Sequence, residues 1–192
     1  MEEKQNIDEI KQKALAGDAE AQYKLGKIYA NGDGVDKDYD EAVKWFRKSA
    51  EQGNAFGQHA LGAAYANGQG IEQDYVEALK WYKKAAEQGN AFAQCSIGVL
   101  YANGQGVEQD YIEAVVWFRK SAEQGFDWAQ FNLGLAYANG QGVEQDYAEA
   151  VSWYKKAAEQ GNADAQNNLG CIYLDEFHFY REYGIIPNYE SA

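Results

Sequence analysis

The sequence predicts an all-α protein built as an α/α solenoid, a stack of helix-turn-helix repeats. The first observation is a period: Gly17, Gly53, Gly89 and Gly125 lie 36 residues apart and open near-identical segments, and a fifth segment opens at Gly161. The second is composition, because a chain rich in Ala, Glu, Gln and Lys with a single proline suits helices. A fixed period of roughly 20 to 50 residues is typical of stacked units that bury their apolar faces against their neighbours.

The period divides the chain into six segments. Residues 1–16 align with the second half of a repeat, with Ile7, Ile10 and Ala14 at its apolar positions, so they are predicted to form a capping helix. The full repeats are residues 17–52, 53–88, 89–124 and 125–160, and residues 161–192 form a partial fifth.

The end of the sequence differs from the other repeats. Residues 184–192 align with residues 70–78, which predicts a longer loop in the fifth repeat, within Asp175 to Tyr183. The sequence then stops where the second helix of that repeat would begin. We therefore expect the chain to be a fragment of a longer array, with Phe177 to Tyr180 packed loosely or docked elsewhere.

Each repeat is predicted to contain two helices, A and B, with their own start and stop signals. Helix A follows an Asp or Asn that is a good N-cap and ends at Asn-Gly-x-Gly, where glycine suits the left-handed conformation. Helix B follows an Asp with a Glu three residues later, the spacing of a capping box. The predicted caps are Asp18, Asn54, Asn90 and Asn162 for helix A and Asp38, Asp74, Asp110 and Asp146 for helix B. Phe126-Asp127 replaces the cap in the fourth repeat, where we expect the start to shift by one residue.

A glycine also recurs in the middle of helix A, where it costs about 1 kcal/mol relative to alanine. These glycines are Gly26, Gly62, Gly98, Gly134 and Gly170. Their recurrence predicts a close crossing of helices A and B. The recurrent Trp and Tyr residues can each bury roughly 150–250 Å², which outweighs that cost, so we assign them structural roles.

The repeated pattern resembles that of a known family. From Ala19 to Trp45 it reads Ala-x-Ala-Gln-x-x-Leu-Gly-x-x-Tyr-x-x-Gly-x-Gly-Val-x-x-Asp-Tyr-x-x-Ala-x-x-Trp. This is similar to the Sel1-like repeat (SLR) family, which is related to tetratricopeptide repeats, and the resemblance covers residues 17–174. It implies a right-handed α/α superhelix with the A helices on the concave side. It also implies a non-catalytic scaffold or adaptor role in protein–protein contacts, often in bacterial signalling or host interaction.

Comparison of the repeats with one another separates two faces of helix A. The constant positions are Gln58, Leu61, Gly62 and Tyr65 in the second repeat and their equivalents. They must pack against helix B, and the variable positions lie about 160° away around the helix. In the three central repeats the variable face has no Asp, Glu, Lys or Arg and carries several aromatic residues, which is typical of a protein-binding groove.

The variable face supplies the candidate partner-binding residues. They are Phe56, His59, Phe92, Cys95, Val99, Trp128, Phe131, Asn132 and Leu135. The groove would take an extended peptide or an amphipathic helix, with Phe56, Phe92 and Trp128 as anchors. The alternative is that these three side chains only fill gaps between repeats.

Residues for catalysis or cofactor binding are sparse. His59 and Cys95 hold equivalent positions in adjacent repeats, but no third group completes a Cys–His site, so we expect no enzyme activity and no cofactor. Two His and two Cys without ligand spacing argue against zinc. Glu72, Asp74 and Glu77 would allow a weak calcium site, although capping explains two of them.

Net charge, hydropathy and cysteine spacing limit the possible partners and cellular location. A net charge of −13 argues against nucleic-acid binding, and no apolar stretch is long enough for a membrane span. Cys95 and Cys171 lie two repeats apart, about 20 Å by helix spacing, which is too far for a disulfide. With no signal segment at Met1 we expect a cytoplasmic protein, or a periplasmic or secreted one whose signal was removed.

Two other functional classes stay open. One is an enzyme or small-ligand protein acting on cell-wall or β-lactam-like compounds, by analogy with cysteine-rich relatives that have a disulfide in each repeat. That cysteine pattern is missing here, so the activity is not carried over. The other is a structural spacer within a larger regulatory protein.

Overall fold

The computed structural model describes residues 2–172, and all regular structure in this part of the chain is helical. The helices are α1 (Glu2–Leu15), α2 (Ala19–Asn31), α3 (Tyr39–Glu51), α4 (Ala55–Asn67), α5 (Tyr75–Glu87), α6 (Ala91–Asn103), α7 (Tyr111–Ala122), α8 (Asp127–Asn139) and α9 (Tyr147–Glu159). A tenth helix, α10, runs from residue 163 to residue 172, the last described. Each helix packs against the next one along the chain, so the predicted α/α solenoid is confirmed.

The helix boundaries follow the predicted capping residues. The side chains of Asp18, Asn54 and Asn90 each accept a hydrogen bond from the first turn of an A helix, and Asn162 does so for α10. Four B helices begin in the same way after an aspartate. The A helices α2, α4, α6 and α8 all end at a glycine in the left-handed conformation. Local sequence therefore sets where these helices start and stop.

Two details of the capping prediction were wrong. In the fourth repeat the N-cap does not shift: Phe126 holds the usual position without a side-chain hydrogen bond, and Asp127 is the first helical residue. The capping boxes are also only half formed. The backbone N–H of Asp38 donates to the carbonyl of Tyr29, 2.9 Å away, so the Glu41 carboxylate is left to accept from Lys44 instead.

The mid-helix glycines allow the A and B helices to pack closely, as predicted. A Cβ added at Gly98 would lie 2.6 Å from ring carbons of Phe118 and 3.1 Å from the carbonyl oxygen of Ala114. Gly26, Gly62 and Gly134 face the equivalent rings of Phe46, Tyr82 and Tyr154. The aromatic side chain of helix B thus lies directly on the backbone of helix A.

Adjacent repeats are joined by a ladder of glutamines on the constant face. Gln58 is buried, donates to the carbonyl of Ala50 at 3.3 Å, and accepts from Gln88 at 2.8 Å. The same pair of bonds recurs at Gln22, Gln94 and Gln130. At Gln22 the carbonyl belongs to Ala14 of α1, so that helix covers the first repeat.

Two further predictions concern membrane spans and the end of the chain. None of the helices between residues 2 and 172 is both long enough and apolar enough to cross a membrane. The longer loop of the fifth repeat and the aromatic segment from Phe177 to Tyr180 lie outside the described residues.

Candidate binding pocket

A pocket of about 430 Å³ lies on the variable face of the A helices, at the centre of the described array. It draws its walls from the second, third and fourth repeats. The lining residues are His59, Ala66, Asn67, Tyr75, Tyr82, Phe92, Cys95, Ser96, Val99, Leu100, Gln105, Phe126, Trp128 and Asn132. The site is therefore a property of three stacked units and not of any single one.

Aromatic side chains form much of the wall. The Phe92 ring contacts the Phe126 ring edge-on at a centroid distance of 4.8 Å and lies 5.8 Å from the ring of His59. Phe92 and Trp128 nevertheless stay 45% and 49% exposed. Exposed aromatic rings held in place by their neighbours are typical of the anchoring sites of protein interfaces.

Cys95 is where the third repeat departs from the aromatic pattern of the other full repeats. At the equivalent position of the first, second and fourth repeats an aromatic ring lies on the B-helix ring of its own repeat. These pairs are Tyr23 with Phe46 at 6.2 Å, His59 with Tyr82 at 5.4 Å, and Phe131 with Tyr154 at 5.9 Å. The third repeat has only the small Cys95 thiol at this position, in the same core cluster as Phe118, and Cys95 lines the pocket together with Phe92 and Trp128.

The pocket lining is uncharged at neutral pH. Burial lowers the pKa of His59 to about 4, so its imidazole is neutral. Burial also raises the pKa of Tyr82 to about 12. The Ser96 hydroxyl donates to the Phe92 carbonyl at 2.9 Å and lies 3.4 Å from His59 Nε2, which leaves a few polar atoms among the aromatic groups.

The structure groups most of the predicted partner-binding residues. His59, Phe92, Cys95, Val99, Trp128 and Asn132 line the pocket, and Leu135 joins Val99 and Asn132 in an adjoining cavity of about 270 Å³. Phe56 and Phe131 lie outside this lining. Phe56 stacks on Tyr23 of the preceding repeat at 5.7 Å while 46% exposed, and Phe131 contacts Trp128 and Tyr154. The variable face thus both packs between repeats and lines a cavity.

Three aromatic residues of the pocket wall are not among the residues predicted from the sequence. Tyr75 and Tyr82 belong to helix B and recur as aromatics in the other repeats, so repeat comparison marked them as structural. Phe126 carried a signal, because it stands where the other A helices have Asp or Asn caps. The sequence alone indicates a change of cap at this position, whereas in the structure the Phe126 ring packs on Phe92.

The chemistry needed for nucleophilic catalysis is not assembled at Cys95. The thiol is buried, and this burial, with a smaller effect of the Asp127 charge, raises its pKa to about 12, so it is protonated at neutral pH. Cys95 and Cys171 are both free thiols. Within residues 2–172 no group of three or more His, Cys, Asp or Glu could hold a metal ion, which contradicts a calcium site at Glu72, Asp74 and Glu77.

Solved structures with the same architecture come from bacterial proteins. A protective antigen with an SLR fold from uropathogenic Escherichia coli strains superposes with a TM-score of 0.80 and 48% identity, covering 87% of this chain and 36% of that one. A Sel1 repeat protein from Oxalobacter formigenes superposes with a TM-score of 0.83 and 40% identity, covering 87% and 66%. The Helicobacter pylori cysteine rich protein B is more distant, with a TM-score of 0.55 and 26% identity, covering 69% and 96%.

A curated protein also matches over a short stretch. The secretory immunoglobulin A-binding protein EsiB of Escherichia coli is 49% identical over 44 residues, which is 23% of this chain and 9% of EsiB. The chain thus spans about a third of the E. coli antigen structure and a tenth of EsiB.

The family model for the Sel1 repeat matches the chain five times in succession. The matched residues are 19–54, 55–90, 91–126, 129–162 and 163–192. These matches cover almost all of the sequence, and their period is that of the helix pairs. The chain belongs to the Sel1 repeat family.

Proposed function

We propose that this chain is a non-catalytic scaffold that binds a peptide segment of a partner protein in the pocket between its second, third and fourth repeats. Sel1 repeat proteins are generally protein-interaction scaffolds. The observation that carries the proposal is the composition of the pocket lining. Phe92 and Trp128 are about half exposed there, and the lining residues include no Asp, Glu, Lys or Arg. An uncharged, aromatic surface stands out in a chain whose net charge is −13.

The shape of the pocket favours a side chain of a partner over a free metabolite. It extends across three A helices and adjoins a second cavity through Val99 and Asn132. An extended or helical peptide can place successive anchors in such a series, whereas a small ligand is normally enclosed. The short match to EsiB, which is named for binding an immunoglobulin, fits a protein partner without identifying one.

The proposal is tested by selecting from a displayed library of random peptides on the immobilised protein. Two variants remove the pocket in different ways: Trp128→Ser deletes a wall and Cys95→Phe fills the space. The matched control is Ile112→Ser, which removes a side chain that is 68% exposed on α7 and does not line the pocket. We expect both pocket variants to weaken the selected peptides by about tenfold or more and the control to leave them unchanged.

The opposite pattern would locate the site elsewhere. If the selected peptides bind all three variants as they bind the unsubstituted protein, the pocket is not the binding site. Circular dichroism spectra of the variants show whether the helices are intact. Since Cys95→Phe adds apolar volume and Trp128→Ser removes it, a general loss of stability would not affect both in the same way.

A further inference from the structure

We propose that the partner segment is cationic, with an apolar anchor side chain in the pocket and flanking Lys or Arg residues over the carboxylates around it. This inference rests on the proposed function and adds the chemical class of the partner. It is carried by the separation of charge between the A and B parts of each repeat.

All basic residues between positions 49 and 172 lie on B helices. They are Lys80, Lys83, Lys84, Arg119, Lys120, Lys155 and Lys156. The A helices of the second, third and fourth repeats, and the loops that follow them, contain no Lys or Arg. The pocket lining, and the A helices and loops that supply most of it, therefore contain no positive side chain to repel a basic partner.

Several of these basic groups are also held in place by aromatic rings. Lys84, Lys120 and Lys156 lie 4.0, 4.2 and 3.8 Å from the ring centroids of the tryptophans on their own helices. Arg119 donates to the hydroxyl of Tyr137 at 2.7 Å. The cation–π contacts hold the three lysine charges on helix B, whereas Arg119 reaches Tyr137 on α8, which does not line the pocket.

The A part of these repeats carries carboxylates. Asp74, Asp110 and Asp146 cap the B helices, and the others are Glu72, Glu108, Asp127 and Glu144. Three of these stand close in sequence to lining residues, and one of them, Asp74 before Tyr75, is engaged in capping α5. Asp127 stands between the lining residues Phe126 and Trp128, and Glu108 is exposed on the loop that supplies Gln105.

The charge of Asp127 reaches the interior of the site. It contributes to the raised pKa of the Cys95 thiol, which lines the pocket. Its carboxylate accepts a hydrogen bond from the Asn162 amide at 3.2 Å, and within residues 2–172 it forms no salt bridge with a basic side chain. A cation beside an apolar anchor would gain from this charge, whereas a carboxylate there would be repelled.

The test uses the same peptide selection with a second pair of variants. The double variant Asp127→Asn/Glu108→Gln neutralises the two carboxylates near the pocket that do not cap a helix, and asparagine can still accept the bond from Asn162. The control Glu123→Gln/Glu159→Gln removes the same charge from the ends of the third and fourth B helices. We expect selected peptides to have a net positive charge and an apolar residue, and to bind more weakly at high salt.

The expected effect of the charge variant follows from the strength of exposed ion pairs. Two such pairs change affinity by about threefold to tenfold, so binding to Asp127→Asn/Glu108→Gln should fall by that factor while the control stays within about twofold. Selection of neutral or acidic peptides, or equal binding to the two double variants, overturns the inference.

Failure of this inference can be told apart from failure of the proposed function. If the selected peptides are neutral but no longer bind Cys95→Phe and Trp128→Ser, the pocket is a peptide-binding site and only its preference for cations is refuted. If the selected peptides bind those two variants as tightly as the unsubstituted protein, the pocket is not the binding site.

Discussion

At the scale of single residues, the pocket depends on one departure from the repeat pattern. Tyr23, His59 and Phe131 each lay a ring on helix B, and Cys95 holds the equivalent position in the third repeat without a ring. Cys95 lines the pocket between the second, third and fourth repeats, together with Phe92 and Trp128. The proposed binding site thus lies at the one described repeat in which this ring is replaced by a thiol.

The substitution Cys95→Phe should restore the regular packing. We expect its free energy of unfolding to equal or exceed that of the unsubstituted protein, because the new ring would contact Phe118 as Phe131 contacts Tyr154. Leu61→Phe is the matched control, since Leu61 is fully buried, and an added ring in a filled core costs about 1–3 kcal/mol. Urea denaturation measures both. A loss from Cys95→Phe as large as that from Leu61→Phe would show that no space exists beside Cys95.

His59 provides a second residue-scale prediction, on pH dependence. Its pKa is about 4 in the folded chain and 6.5 as the ordinary value, so the unfolded chain takes up the proton first as the pH falls. Its contribution to stability is therefore complete above pH 6.5 and is lost as the pH drops towards 4, by about 3 kcal/mol as an upper figure. Replacement by Phe, which Phe131 shows to be compatible with the position, should remove this part of the acid dependence.

The measurement is a series of denaturation curves between pH 4 and pH 8 for both proteins. Carboxylates titrate in both, so the informative quantity is the difference between the two stabilities at each pH. That difference should change steadily below pH 6.5 in favour of His59→Phe. A difference that is constant with pH would mean that the imidazole is as easily protonated in the folded chain as in the unfolded one.

At the scale of helices, the close crossing of A and B depends on the mid-helix glycines. In an isolated helix, Gly98→Ala would add about 1 kcal/mol of helix stability. In α6 the new methyl group would lie 2.6 Å from the Phe118 ring, so the helices must separate or the ring must move. We expect a net destabilisation of about 1–3 kcal/mol, measured by urea denaturation.

A double-mutant cycle distinguishes this contact from a general effect on the helix. Phe118→Leu alone should destabilise the protein by removing ring contacts from the core. In Gly98→Ala/Phe118→Leu the methyl group gains room, so the combined loss should be smaller than the sum of the two single losses. Additive losses would indicate that the Gly98 position is sensitive for another reason.

The elements also show what sequence could and could not predict. Caps such as Asp74 and stops such as Gly68 act within one turn of the chain, so the helix boundaries were predictable from local spacing. The pocket was only partly predictable, because its walls come from residues more than thirty positions apart, such as His59 and Phe92. The sequence marked the variable face but did not show that Phe56 packs beside Tyr23 or that Phe126 turns towards Phe92.

At the scale of the whole molecule, the array is held by contacts between consecutive helices. At each junction the glutamine of helix A donates to a carbonyl of the preceding B-type helix, so the same contact forms whichever repeats meet. In such a linear system stability is close to a sum of repeat and interface contributions. The number of repeats can therefore change without altering the fold.

Deletion of residues 89–124 tests this property because it removes one full period and joins the second repeat to the fourth. We expect a folded helical protein with unchanged helicity per residue by circular dichroism. Its unfolding midpoint should be lower, and its dependence on denaturant smaller in proportion to the area that one repeat buries. The shortened chain should bind none of the selected peptides, since Phe92, Cys95 and Ser96 are gone.

The control deletes half a period, residues 89–106, and so removes α6 while keeping α7. Two B helices would then follow one another, and Phe118 would have no glycine-bearing A helix to pack on. This smaller deletion should cost more structure than the larger one, because the register of A and B helices matters more than the number of residues lost. If the half-period deletion kept a cooperative unfolding transition and the full-period deletion did not, stability would reside in particular repeats and the nearest-neighbour account of this array would be wrong.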